Sequence, residues 1–299
     1  TVASLGVATD TIVNAKYLIT SAIATGWNMI SNPFIVPDAS VATLYPSATT
    51  DAFAFLPGLG YSRTLQLSIG FGYFVKFPEG RVQTYQGSPF NSVQISVGTG
   101  WNLIGSLHRK VPVNTIVHNP PNNTSSVYYD YSRGYHRSDT LVPGKGYWIK
   151  IKQLGTLTLN AAGTAMPAAT LPRRDALAEA NSITFTDRLG RTQTLYFGEA
   201  DQDVQLDEYE MPPAVTEGTF DARFASNRIA EFFSASGPHR PDPRILLTSA
   251  AYPVTVEWTL HGETGRELRD ELGGSVFSAP LAGAQGRATL TDERVRTLL

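Results

Sequence analysis

Cysteine is absent from the chain, which removes disulfide staples, a thiolate zinc site and a thiol nucleophile together. The compartment stays open, because a disulfide-free secreted bacterial protein fits this composition as well as a cytosolic one. Charge is sparse at 17% of residues and nearly balanced at a net −2, so no basic field attracts nucleic acid or an anionic membrane. No nucleic-acid partner is therefore expected. Helical periodicity is missing as well, since no ten-residue window carries an amphipathic helical stripe. The uncharged run from Tyr17 to Pro37 is long enough to raise the question of a membrane span. It contains Gly26, Asn28, Asn32 and Pro33, which would place amides and a helix breaker in hydrocarbon, so it reads as a pair of strands and no membrane span is expected.

Glycine-aromatic motifs fill the first half, and they recur. Gly26-Trp27-Asn28-Met29-Ile30 returns as Gly100-Trp101-Asn102-Leu103-Ile104, so the numbering is offset by 74. The same offset carries Gly60-Tyr61-x-Arg63 onto Gly134-Tyr135-x-Arg137 and Gly72-Tyr73-Phe74-Val75-Lys76 onto Gly146-Tyr147-Trp148-Ile149-Lys150. Over residues 60–76, eight of 17 positions match residues 134–150 without a gap. This is a tandem duplication. Both copies read as short strands rich in aromatic and β-branched residues bounded by Gly, Pro, Asn or Ser, such as 52–56, 73–77, 127–131, 147–151 and 156–159. The connectors 37–46 and 111–121 have room for one helical turn each.

Composition changes after the second copy. Residues 1–167 hold 11 basic and 6 acidic side chains, a net +5, whereas residues 168–299 hold 13 and 20, a net −7. An Ala-rich stretch with Pro167 and Pro172 marks a linker. Beyond it, two β-prone runs flank Arg188-Leu189-Gly190-Arg191 as a hairpin signal, and further short strands follow at the spacing of an antiparallel sandwich. The expected fold is all-β. Residues 1–18 form an N-terminal strand segment, 19–93 and 94–167 two tandem β modules of one repeat each, 168–180 a linker and 181–299 a β-sandwich of the immunoglobulin or fibronectin kind. The strand-prone Thr11-Ile12-Val13 and Tyr17-Leu18-Ile19-Thr20 precede the first repeat and lack an evident partner within it.

The doubled Gly-Trp-Asn-(Met/Leu)-Ile and Gly-x-Gly-Tyr-(Phe/Trp)-(Val/Ile)-Lys pattern resembles a module of large secreted and cell-surface proteins of bacteria that use type IX secretion. The runs Asn181 to Asp187, Gln193 to Gly198, Tyr209 to Pro213 and Phe220 to Phe224 are similar to the β-domain that follows such modules. The resemblance implies export, an extracellular or cell-surface location and a noncatalytic structural or adhesive role. Proteins of this kind carry a separate sorting domain, which has no match up to Leu299; either it was removed or the chain is part of a longer protein.

Candidate chemistry is thin. No Gly-x-Ser-x-Gly elbow is present, and His108, His118, His136, His239 and His261 lack metal-site spacing, so they read as surface or loop residues. Residues 1–167 contain six acids, none repeated, which gives no carboxylate pair for glycoside cleavage. Asp201, Asp203 and Asp207 could supply oxygens to a calcium ion, but the glycine of an EF-hand loop is missing and a solvated loop is the plainer reading. No other cofactor is implied. Trp27, Trp101, Tyr73, Tyr147 and Trp148 read as repeat core, since a large aromatic in a small module anchors it. The glycines beside Tyr73 and Tyr147 read as bulge or turn residues, not as a phosphate cradle. Tyr61, Arg63, Tyr135 and Arg137 are the candidate ligand or partner contacts, joined by Tyr128, Tyr129 and Tyr131, because Val127-Tyr128-Tyr129-Asp130-Tyr131 must point tyrosines to both sheet faces. The expected function is that of a noncatalytic structural or adhesion protein, with partners among copies of itself, other surface proteins or glycans and a capacity to form a filament or stalk. The alternative is a carbohydrate-binding segment of a secreted hydrolase.

Overall fold

The computed structural model describes residues 17–161, 176–199, 205–214, 218–233, 244–262 and 265–299. The described chain is all-β. In the first copy the strands are β1 (Tyr17–Ile23), β2 (Gly26–Ser31), β3 (Ala52–Leu56), β4 (Gly60–Thr64), β5 (Gly72–Phe77) and β6 (Arg81–Gly87), with one helical turn, α1 (Val41–Leu44). The second copy holds β7 (Ser92–Val97), β8 (Gly100–Ile104), β9 (Val111–Pro112), β10 (Val117–Asn119), β11 (Tyr128–Tyr131), β12 (Tyr135–Ser138), β13 (Thr140–Leu141), β14 (Tyr147–Ile151) and β15 (Gly155–Asn160). A 3-10 turn at Val113–Thr115 takes the place of an α-helical one.

Each copy is two layers. One pairs the first and last strands of the copy, β1 with β6 or β7 with β15, the latter extended by β10, and the other is a four-stranded sheet of order β2-β5-β3-β4 or β8-β14-β11-β12. The registers share the sequence offset: Ile23 opposes Arg81 as Val97 opposes Gly155, and Gly26 opposes Phe77 as Gly100 opposes Ile151. One strand departs from it. Phe53 lies between Phe74 and Arg63, whereas the residue between Trp148 and Arg137 is Tyr129, an offset of 76. A slip of two keeps every side chain on its face, and the second hairpin is shorter by two at its turn, so the sequences realign without a visible gap.

The repeated Gly-Trp-Asn turns the corner between the layers. Gly26 and Gly100 both sit at φ +89°, a left-handed conformation that glycine adopts without strain. The following Asn clasps the turn. The Ala24 N–H donates to Asn28 Oδ1 at 2.9 Å, while Asn28 Nδ2 donates to the carbonyls of Ala24 and Gly26 at 2.8 and 3.0 Å. Asn102 repeats this with Gly98 and Gly100 at 2.9, 2.7 and 2.9 Å. Both side chains are buried, so truncation orphans backbone groups, and Asn28→Ala and Asn102→Ala should each cost about 2 kcal/mol in urea unfolding. A loss confined to one copy would deny the two turns the same role.

The copies meet reciprocally. The Ser31 N–H donates to the Gly144 carbonyl and the Gly105 N–H to the Gly70 carbonyl, both at 2.9 Å, and Ile30 bridges Lys145 as Ile104 bridges Phe71. Contacts in which i meets j and j meets i define a local two-fold axis. Glycine beside the repeated tyrosine serves this approach and not a bulge, since a Cβ on Gly72 would stand 2.6 Å from the Ile104 carbonyl oxygen. Two sequence boundaries shift. β7 pairs with β15 and so belongs whole to the second copy, although the cut at 93/94 divides it. Residues 17–20 are not an unpartnered strand, because β1 runs from Tyr17 and pairs with β6 along its length.

The C-terminal part is built from β16 (Asn181–Thr186), β17 (Thr192–Glu199), β18 (Asp221–Phe224), β19 (Ala230–Phe233), β20 (Ile245–Thr248), β21 (Val254–Thr259), β22 (Glu267–Arg269), β23 (Ser278–Pro280), β24 (Gln285–Leu290) and β25 (Thr297–Leu298). A five-stranded sheet, β19-β17-β16-β21-β24, is accompanied by β18-β20-β25 and by the hairpin β22-β23. It is not wholly antiparallel, as the sequence pattern suggests: β17 and β19 run parallel, Tyr196 opposite Ala230. Most of the proposed linker lies outside the described residues, which resume at a 3-10 turn, Ala176–Glu179.

Candidate functional site

Period-two alternation in the two four-stranded sheets sends side chains to two different cores. Tyr73 and Val75 face the interior of the first copy, with Ile30 and Phe77, and Tyr147 and Ile149 that of the second, with Ile104 and Ile151. Their neighbours point the other way. Met29, Phe74, Trp101, Leu103, Tyr129, Tyr131, Tyr135 and Trp148 join the core of the C-terminal part in one cluster. Of the proposed repeat core, then, Tyr73 and Tyr147 line the separate module interiors, Trp101 and Trp148 belong to the shared cluster, and Trp27 is half-buried against it. Tyr73 and Tyr147 play one part in both copies, their hydroxyls accepting the N–H of Ser68 at 2.8 Å and of Val142 at 2.7 Å.

The tyrosines expected at the surface are buried. Tyr128 is 5% exposed, Tyr129 0%, Tyr131 4% and Tyr135 2%. Tyr128 fills the interior of the second copy, and the other three are covered because the C-terminal part closes the face that residues 17–161 leave open. The Tyr135 hydroxyl donates to the Pro213 carbonyl at 3.0 Å and that of Tyr131 to Phe220 at 3.4 Å. Gln193 seals the join: its Oε1 accepts the Tyr135 N–H at 2.9 Å, its Nε2 donates to the Tyr135 carbonyl at 3.1 Å, and beside it the Thr192 N–H donates to the Arg133 carbonyl at 2.8 Å. Tyr61 is half-buried, its ring edge-on to Phe55 at 5.3 Å and to Trp148 at 6.3 Å. Glu210 takes the indole N–H of Trp101 at 3.4 Å and pairs with Lys150.

Beneath the rings, β18 contributes Asp221 and Arg223, the charged pair of the Phe-Asp-Ala-Arg-Phe run. Arg223 donates from Nε to Asp221 Oδ2 at 2.6 Å and from Nη1 to the Pro212 carbonyl at 3.1 Å. Burial pushes the Asp221 carboxyl up, with Arg223 working against it. Burial likewise pushes the phenols of Tyr61, Tyr129, Tyr131 and Tyr135 well above their ordinary range, which keeps the ring cluster uncharged. It can hold units together and exclude water. Sequence reasoning missed Gln193, Glu210, Asp221 and Arg223. For Gln193 there was a signal, a polar side chain at an inward position of the alternating Thr192-Gln193-Thr194-Leu195 run.

The remaining candidates lie apart. Arg63 is exposed and pairs with Asp51 across the edge of its sheet, and Arg137 is exposed on β12 with its backbone opposite Tyr129. Asp201 and Asp203 fall outside the described residues; Asp207, its side chain 87% exposed, lies 3.4 Å from Arg228. Among the described residues no group of three His, Asp or Glu is placed to hold a metal ion, and no helix is long and apolar enough to cross a membrane. Among the described histidines His108 is buried, His118 is half-buried, and His239 lies outside the described residues. His108 is 4% exposed, its Nδ1 3.0 Å from the Phe90 carbonyl and its ring between Tyr17 and Phe34 at 5.8 and 6.1 Å, and burial lowers its pKa. No protein-family model, curated protein or solved structure matches the chain.

Proposed function

We propose that the chain is a noncatalytic structural or adhesion segment of an extracellular, cell-surface protein, whose partners are copies of itself or neighbouring surface proteins. The observation that carries this reading is the use made of the repeated aromatics: they fasten two β modules and a third β unit through one continuous core. Export by the type IX route rests on the resemblance of the repeated motifs alone. The carbohydrate-binding alternative has less support, because Tyr128, Tyr129, Tyr131 and Tyr135, its best stacking platforms by sequence, are all buried. A glycan array run beside light scattering on the purified full chain tests the choice. The expected result is no glycan retention and no turnover of polysaccharide, peptide or ester substrates. Turnover abolished by one Asp, Glu, Ser or His substitution would sink the noncatalytic reading, and glycan capture that an exposed aromatic controls would replace it with the alternative.

A further inference from the structure

The duplication supplies an internal control for strand edges. In the second copy β15 is covered: β10 pairs with it, Val117 opposite Thr158 and Asn119 opposite Thr156. At the repeat offset those positions are Thr84 and Val82 of β6, in a strand pair of the same register. At the repeat offset β10 falls on residues 43–45, the end of α1 and its cap, which form no strand with β6 and reach it through side chains: Gln83 Nε2 donates to the Leu44 carbonyl at 2.9 Å and the Tyr45 hydroxyl to that of Tyr85 at 3.0 Å. Among the described residues the sheet β1-β6 therefore ends on β6. Its far end is closed, since Ser88 exchanges both backbone bonds with Ile35 at 2.9 and 3.0 Å. Between these limits, residues 82–86 have no strand beside them among the described residues other than β1, and the Thr84 carbonyl accepts the Gln83 side-chain amide, at 3.0 Å.

Proteins blunt such edges with charge, proline or a bulge. Residues 82–86 read Val-Gln-Thr-Tyr-Gln, carry no charge or proline, and keep an unbroken register with β1. Val82 is 66% exposed, and Leu18 on the adjoining strand 63%. We propose that β6 pairs antiparallel with β6 of a second copy, about a two-fold axis at Thr84. Antiparallel ladders are self-complementary about such an axis, so one open edge completes its own partner. In this register Val82 faces Gln86 of the second copy and Arg81 faces Gly87, so no like charges meet. The two strand pairs become one four-stranded sheet. The inference rests on the reading of the chain as an assembling structural element and gives it a specific contact.

Sedimentation velocity on the full chain over a concentration series tests it, with Thr84→Lys and Thr84→Glu. Thr84 is exposed, and circular dichroism monitors the folding of each variant. The expected result is reversible dimerisation of the wild type and an association weaker by about tenfold or more in either variant alone, since each sets like charges directly opposite one another. An equal mixture of the two variants should regain it. Leu154→Lys, at a site 76% exposed outside this edge, should leave it unchanged. A wild type monomeric at every concentration overturns the pairing, and does so without touching the structural reading if that monomer still binds another surface protein. Weakening in both variants with no recovery on mixing overturns it as well, because the contact then lies elsewhere.

Discussion

Gly134→Ala should part the second module from the C-terminal part, lowering the stability of the full chain by about 3 kcal/mol or more and splitting one melting transition into two. A Cβ at this position would stand 1.8 Å from the Thr192 carbonyl oxygen and 2.9 Å from its carbonyl carbon, and both are backbone atoms that no rotamer change can move. Relief requires the two units to move apart along this contact. That movement stretches the bond from the Thr192 N–H to the Arg133 carbonyl and the paired bonds between the buried Gln193 side chain and the buried Tyr135 backbone. Each buried group left unpaired costs about 1–3 kcal/mol, so two or three together exceed a typical single substitution. Calorimetry with limited proteolysis checks it. A single transition at the wild-type temperature would mean that the join does not hold the units together. Gly60, the equivalent residue of the first copy, is the instructive control, because nothing lies within 4 Å of its Cβ position and its own constraint is a φ of +89°. Gly60→Ala should strain one hairpin and leave the join intact.

The same pair of glycines shows how far the sequence could be read. The identity of Gly60 and Gly134 is a true mark of the duplication, yet the reasons for the two residues differ. In the second hairpin, shorter by two at its turn, Arg133 takes the left-handed conformation at φ +64°, and Gly134 is left to make room for Thr192 of the C-terminal part. Strand content, the repeat and its registers were legible because alternation and offset are local properties. What covers a face is not local. Val127 to Tyr131 announces tyrosines on both sides of β11, but nothing within those residues tells that the outer side packs under Phe220 and Pro213, as Tyr131 and Tyr135 do. His108 is the same case on a smaller scale, an ordinary loop histidine until Tyr17 and Phe34 close over it. The slip of β3 against β11 leaves no trace in the alignment, because the shorter turn compensates it and the flanking motifs stay in step.

Trp148→Ala should be the most damaging truncation in the shared core, costing about 3–5 kcal/mol. The side chain is fully buried, and its ring meets Phe55 at 4.7 Å and 76°, Trp101 at 6.1 Å and 82°, Tyr61 at 6.3 Å and Phe74 at 6.4 Å. Phe55, Tyr61 and Phe74 belong to the first copy, Trp101 to the second, so one indole fills space that both copies border. Phe74 holds the equivalent position in the first copy and is likewise fully buried, edge-on to Tyr61 at 5.9 Å and Tyr131 at 5.7 Å. Phe74→Ala should therefore cost about 3–4 kcal/mol by the same cavity mechanism. The two rings are neighbours, so the double variant should lose less than the sum of the single losses, because the contact between them is counted twice when each is removed alone. Chemical denaturation of the four proteins closes that cycle. Additive losses would mean that the rings serve separate cores, and the local two-fold axis would then be a matter of backbone contacts only; a shortfall of about 1 kcal/mol or more would locate the cohesion of the two copies in this aromatic contact.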